Sequence, residues 1–153
     1  MVNIINYKED VYRNEEFFDK LCVFIDGILT SYNKKNYEVN IVFCGNDYIK
    51  DMNCKYRNKD YVTDVLSFSS DEDCDEDAIY CGEDTIPLGD VVISYEKAVE
   101  QAKENDVSID EEILRLCIHG VLHLLGYDHE QSETEEKRMF DMEDSLMQIF
   151  MKE

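Results

Sequence analysis

The sequence predicts an α+β domain of four strands and about five helices, spanning residues 1–153. Three observations carry that reading. Short runs that alternate apolar with polar residues, or are dense in β-branched ones, have the period of strands. Longer segments place apolar residues three and four apart, the period of helices. One of these is apolar around nearly its whole circumference, which places that helix at the centre of the fold. The length suits one sizeable core, and no linker or internal repeat divides the chain.

In chain order, Val2 to Asn6 reads as a strand. Asn14 caps a helix opened by Glu15 and Glu16, with Phe17, Phe18, Leu21, Phe24, Ile25, Ile28 and Leu29 at helical spacing. Tyr37, Val39, Ile41 and Phe43 alternate with polar residues in a second strand that ends at Gly45-Asn46. A short helix from Asp47 toward Tyr56 follows, and Arg57 falls in the polar stretch after it. Thr63 to Phe68 forms a third strand, and Leu88 to Ser94 a fourth, entered through the single proline, Pro87. A helix over Tyr95 to Lys103 turns Ala98, Val99 and Ala102 inward. The central helix starts at a capping box, Ser108 to Glu111, and runs to Leu125. The last helix starts at a second box, Ser132 to Glu135, with Met139, Met142, Leu146 and Ile149 as its inner stripe. Asp71 to Asp84 carries eight acidic residues in fourteen and reads as a solvated loop.

Composition narrows the function. The formal charge of −21 argues against wrapping a long nucleic-acid duplex, because phosphate contacts need a basic footprint. One basic cluster stands out, Lys50, Lys55, Arg57 and Lys59, and basic residues also favour helix C-termini for structural reasons. No apolar run is long enough to span a bilayer, and the N-terminus lacks the pattern of a signal peptide, so a cytoplasmic location is expected. The six cysteines include no Cys-x-x-Cys pair. Cys22, Cys44 and Cys117 are expected as buried thiols, while Cys74 and Cys81 sit in the acidic loop, where reduced thiols are expected.

All three histidines fall in the segment His119-Gly120-Val121-Leu122-His123-Leu124-Leu125-Gly126-Tyr127-Asp128-His129. His119 and His123 are four apart and share a helix face. Gly126 is placed to end the helix, and the turn through Tyr127 and Asp128 can bring His129 back. Three imidazoles with one open position are the ground plan of a catalytic zinc site, with one Zn²⁺ expected per chain. The spacing is that of the metzincin proteases, with one break. The glutamate that serves them as general base directly after the first histidine is here Gly120, which disfavours a zinc peptidase.

The segment His119 to His129 resembles the HGxLHLxGYDH signature of the YbeY family of bacterial rRNA maturation endoribonucleases. Tyr56-Arg57 with Thr63-Asp64-Val65-Leu66-Ser67-Phe68 resembles that family's YR…TDVLSF stretch, and Leu88-Gly89-Asp90 its LGD strand. Ser69 departs from a frequent proline. The resemblance covers essentially the whole chain. It implies a zincin-like fold with a mixed sheet, zinc on His119, His123 and His129, and a single-strand-specific endoribonuclease. It also implies a role in maturing the 3′ end of 16S rRNA and in ribosome quality control, with rRNA and a ribosomal or small-subunit protein as partners. The family's invariant arginine falls on Arg57, the candidate catalytic residue, whose planar fork suits phosphate oxygens. Asp64, Asp90 and Asp128 are candidates for the general base or for orienting an imidazole. The rival reading is a ribosome-assembly factor with a mainly structural metal.

Overall fold

The computed structural model describes residues 1–6, 14–69, 86–127 and 132–152. The elements are β1 (Val2–Asn6), α1 (Glu15–Ser31), β2 (Tyr37–Cys44), α2 (Asn46–Arg57), β3 (Val65–Ser69), β4 (Ile86–Ser94), α3 (Tyr95–Glu104), α4 (Ile109–Leu124) and α5 (Glu133–Lys152). The sheet order is β1-β2-β4-β3. β1, β2 and β4 run parallel, and β3 is antiparallel to β4, so the α+β architecture and the mixed sheet both match expectation.

The helix starts follow the local chemistry of the sequence. The Asn14 side chain accepts from Phe17 N–H at 3.2 Å. Ser108 and Ser132 accept from Glu111 and Glu135 N–H, each at 3.1 Å. Each cap satisfies a donor that the first helical turn leaves without an intrahelical partner. Ser94 does the same for α3, accepting from Lys97 N–H at 3.2 Å.

Sheet alternation then sorts the side chains. Val39, Ile41 and Phe43 of β2 and Val91 and Ile93 of β4 face a core shared with Phe18, Leu21 and Ile25 of α1 and Leu114, Ile118 and Val121 of α4. Val42, Cys44, Leu66 and Val92 point to the other face, where Ile49 of α2 covers them. That second cover is why β2 is buried at every position from Ile41 to Cys44 while its start is only half-buried. α4 is buried around most of its circumference, so the expectation of a central helix holds.

Four details differ from expectation. Pro87 lies inside β4, opposite Glu38, at a point where the register skips one residue, and a bulge is where a strand tolerates proline. Arg57 is the last helical residue of α2, since Asn58 takes the left-handed cap conformation at φ 56°. On α5, Ile149 is 50% exposed and Phe150 takes its inward place, meeting Phe24 and Phe17 edge-on at 5.2 and 5.9 Å. Cys44 and Cys117 are buried as expected, but Cys22 is only half-buried. The acidic segment Asp71 to Asp84, with Cys74 and Cys81, lies outside the described residues. Among the described residues, no helix is long and apolar enough to cross a membrane.

Candidate metal centre

α4 delivers two histidines to one point. His119 and His123 are one helical turn apart, and their Nε2 atoms approach to 3.2 Å with the rings steeply inclined at 77°. Tetrahedral zinc with Zn–N bonds of about 2.05 Å separates two imidazole nitrogens by about 3.3 Å, and the 3.2 Å spacing of this pair matches that separation. The helix ends just before Gly126. Gly126 has φ 103°; its N–H donates to His123 O, and Tyr127 N–H to Leu122 O, each at 3.0 Å. This is the paired terminal bonding that closes a helix through a left-handed residue.

Beyond that cap, Tyr127 is buried and its hydroxyl lies 2.6 Å from that of Tyr32 at the end of α1. Arg138 of α5 stacks its guanidinium 5.0 Å from the Tyr127 ring. Burial and the bond to Tyr127 push the Tyr32 hydroxyl up to about 12, against the opposing pull of Arg138. The first residue of the turn is thus pinned to two helices. Asp128 and His129 lie outside the described residues. Among the described residues, no three metal-ligating side chains converge, and His119 and His123 are the two proposed ligands whose positions are defined.

Gly120 is small because of the sheet. A Cβ at this position would lie 2.5 Å from Val91 Cγ1 and 3.2 Å from Ser67 Oγ. The position that carries a general base in the metzincins here faces β3 and β4. Ser67 Oγ donates to Gly120 O at 3.2 Å. Ser67 O in turn accepts from Arg57 Nη2 at 2.7 Å. Arg57 and α4 are therefore joined through one strand residue. The exposed Arg57 guanidinium also lies 5.3 Å from the Phe68 ring, which Tyr56 meets edge-on at 5.4 Å. In the surrounding basic cluster, Lys50 approaches Asp60 at 3.9 Å and Lys55 lies 5.2 Å from the Tyr56 ring.

The carboxylate on the imidazole is one that the sequence reading did not name. Glu143 of α5, 5% exposed, places Oε2 3.3 Å from His119 Nδ1. Its Oε1 lies 3.9 Å from Arg115 Nη1, and Arg115 also pairs with Glu112, which is 2% exposed. Burial works against the Arg115 charge, but Glu112, Glu143 and Asp64 outweigh it and hold the guanidinium above its ordinary pKa. A cavity of about 200 Å³ opens beside these groups, lined by Asp64, Val65, Arg115, His119 and Glu143 among others. Asp64 Oδ1 accepts from Val65 N–H at 2.8 Å. Asp90 accepts from Asn40 at 2.9 Å within the sheet. Glu143 was legible in one respect: it stands four residues after Met139, in line with an apolar stripe where a glutamate has no packing reason to be.

The chain is similar to known proteins over nearly its whole length. The family model for endoribonuclease YbeY matches residues 3–151. A protein named endoribonuclease YbeY from Sulfurihydrogenibium sp. (strain YO3AOP1) is 41% identical over 144 residues, covering 94% of this chain and 90% of the relative. Another of that name, from Caldicellulosiruptor saccharolyticus, is 43% identical over 138 residues and covers 85% of each chain. Among solved structures, the solution structure of TM1509 from Thermotoga maritima superposes with a TM-score of 0.65 at 25% identity, covering 98% of this chain and 89% of that one.

Proposed function

This chain belongs to the YbeY family of endoribonucleases, and from that membership we propose a zinc-dependent enzyme that cuts single-stranded RNA in the cytoplasm and matures the 3′ end of 16S rRNA. Endonucleolytic hydrolysis of RNA is the activity of the family, and the mature ribosome is its destination. The observation that supports the metal reading is the 3.2 Å approach of His119 and His123 Nε2, at the separation that zinc ligands require.

In this reading His119, His123 and His129 hold one Zn²⁺, and a metal so held supplies Lewis acidity toward a phosphoryl oxygen. The chain's own groups do the rest. Arg57 binds the phosphate, with its guanidinium carbon 5.3 Å from the Phe68 ring centre and one nitrogen tied to Ser67 O. The planar fork of a guanidinium can match two phosphate oxygens, which a lysine cannot reproduce. Ser67 sets the distance between that guanidinium and the metal helix through its bond to Gly120 O. Gly120 supplies no base, because its missing side chain would meet Val91 rather than a substrate. This disfavours the peptidase alternative. A ribosomal protein of the small subunit is the partner that fits the strongly acidic surface.

The test combines metal analysis with cleavage of a single-stranded RNA spanning the 3′ end of the small-subunit rRNA. Cleavage is expected to stop with a chelator, to return with zinc, and to fall at least tenfold in Arg57→Glu. Undiminished cleavage by metal-stripped protein would overturn the reading.

A further inference from the structure

Two nearly buried carboxylates face a single guanidinium beside the histidine pair. Glu112 and Glu143 are 2% and 5% exposed, and Arg115 touches both. Burying charge is costly, so such a cluster needs a reason. Arg115 is shared between the two carboxylates, and Glu143 places its negative charge on the Nδ1 side of His119. Asp64 lines the same cavity and adds to it. Glu143 places a carboxylate oxygen 3.3 Å from His119 Nδ1. It comes from α5, a different helix from the one that carries the histidines.

We propose that Glu143 is a positioning residue that fixes His119 in the tautomer with its proton on Nδ1, so that Nε2 presents its lone pair beside His123. The inference rests on the metal reading above and deepens it. A carboxylate can only accept, so a neutral imidazole bonded to it must donate from Nδ1. Free histidine prefers the other tautomer, with the proton on the nitrogen that here faces His123. Glu143 therefore removes a tautomer change from metal binding and adds negative charge opposite the cation. Arg115 lies 3.9 Å from the second oxygen of Glu143, and Glu112 anchors Arg115, so the guanidinium's charge favours keeping the carboxylate at the ring. This arrangement also explains why α5 packs a glutamate between Met139 and Phe150 on its buried side.

Two measurements test it on the full chain. The first uses long-range ¹⁵N–¹H correlation spectra of metal-free wild-type protein at a pH where imidazoles are neutral. His119 is expected as the Nδ1–H tautomer, and an Nε2–H ring at His119 would overturn the proposal without any substitution. The second is zinc affinity by competition with a chromophoric chelator. Glu143→Gln, which preserves shape and removes the charge, is expected to weaken zinc about 10- to 100-fold with an unchanged circular dichroism spectrum. Glu143→Asp, which keeps charge but shortens the reach, is expected to fall between the two. Wild-type affinity in Glu143→Gln would overturn this inference and leave the metal reading standing. A wild-type chain with no measurable zinc affinity would overturn both.

Discussion

The same substitution, glycine to alanine, is expected to move stability in opposite directions at two helical sites. Gly120 lies in α4 against the sheet, and Gly27 lies in α1 with nothing within 4 Å of where a Cβ would sit. In a helix interior, alanine gains about 0.8–1.0 kcal/mol over glycine. Gly27→Ala should keep most of that gain. At Gly120 the new methyl would meet Val91 Cγ1 at 2.5 Å and Cγ2 at 3.0 Å. Val91 is fully buried in β4, between β2 and β3, and its χ1 is stiff, so it cannot rotate out of the way. Overpacking of this kind costs about 1–3 kcal/mol, and the upper part of that range applies. Subtracting the helix gain leaves a net loss of about 1–2 kcal/mol. For a chain of this length each kcal/mol shifts Tm by about 2–4 °C, so Gly120→Ala should melt about 2–8 °C lower. Gly27→Ala should melt a few degrees higher. Thermal unfolding of both variants at one pH and fixed metal content measures the difference. If Gly120→Ala were as stabilising as Gly27→Ala, the close approach of α4 to the sheet, and the explanation of Gly120 built on it, would be wrong.

Other outcomes are equally open to measurement. His123→Ala should lose its zinc while keeping the helical spectrum, because alanine is the better helix former; full occupancy by elemental analysis would rule out the three-histidine site. Zinc affinity of the wild type should weaken as pH falls, since protons compete for the imidazoles, and a pH-independent affinity would exclude histidine ligands. Burial, helped by Glu96, pushes the Cys44 thiol up to about 12 from an ordinary value of 9.0. Below pH 9 both folded and unfolded chains keep that proton. Above it only the unfolded chain releases it, so stability falls as pH climbs toward 12. The fall of Tm between pH 9 and 11 should therefore be shallower in Cys44→Ala, and an unchanged slope would show that this thiol does not contribute. Binding to naked single-stranded RNA should be weak, with a shallow salt slope of about −0.7 per phosphate contacted. Nanomolar binding with a steep slope, read by fluorescence anisotropy, would require an extended basic groove.

The sequence by itself determined the elements and the identity of the helix that carries the histidine pair. Caps at Asn14, Ser108 and Ser132, the stop at Gly126 and the all-round apolar pattern of α4 act within one turn or one helix face, so local chemistry suffices to read them. His119 and His123 were legible for the same reason, since four residues on a helix fix their juxtaposition. What only the tertiary structure decided involves contacts between elements distant in sequence. Glu143 reaches His119 across 24 residues, and nothing near either one encodes the meeting. The sequence pointed instead to aspartates close to the motifs, of which Asp90 is taken up by Asn40. Gly120 could be read as a missing base, but its positive reason, the close passage of Val91, belongs to the packing of helix on sheet. Arg57 joins α4 only because β3 lies between them, with Ser67 offering its carbonyl to one and its hydroxyl to the other. Periodicity tells which face of an element is buried, whereas the partner on that face is chosen by how helices and sheet pack together.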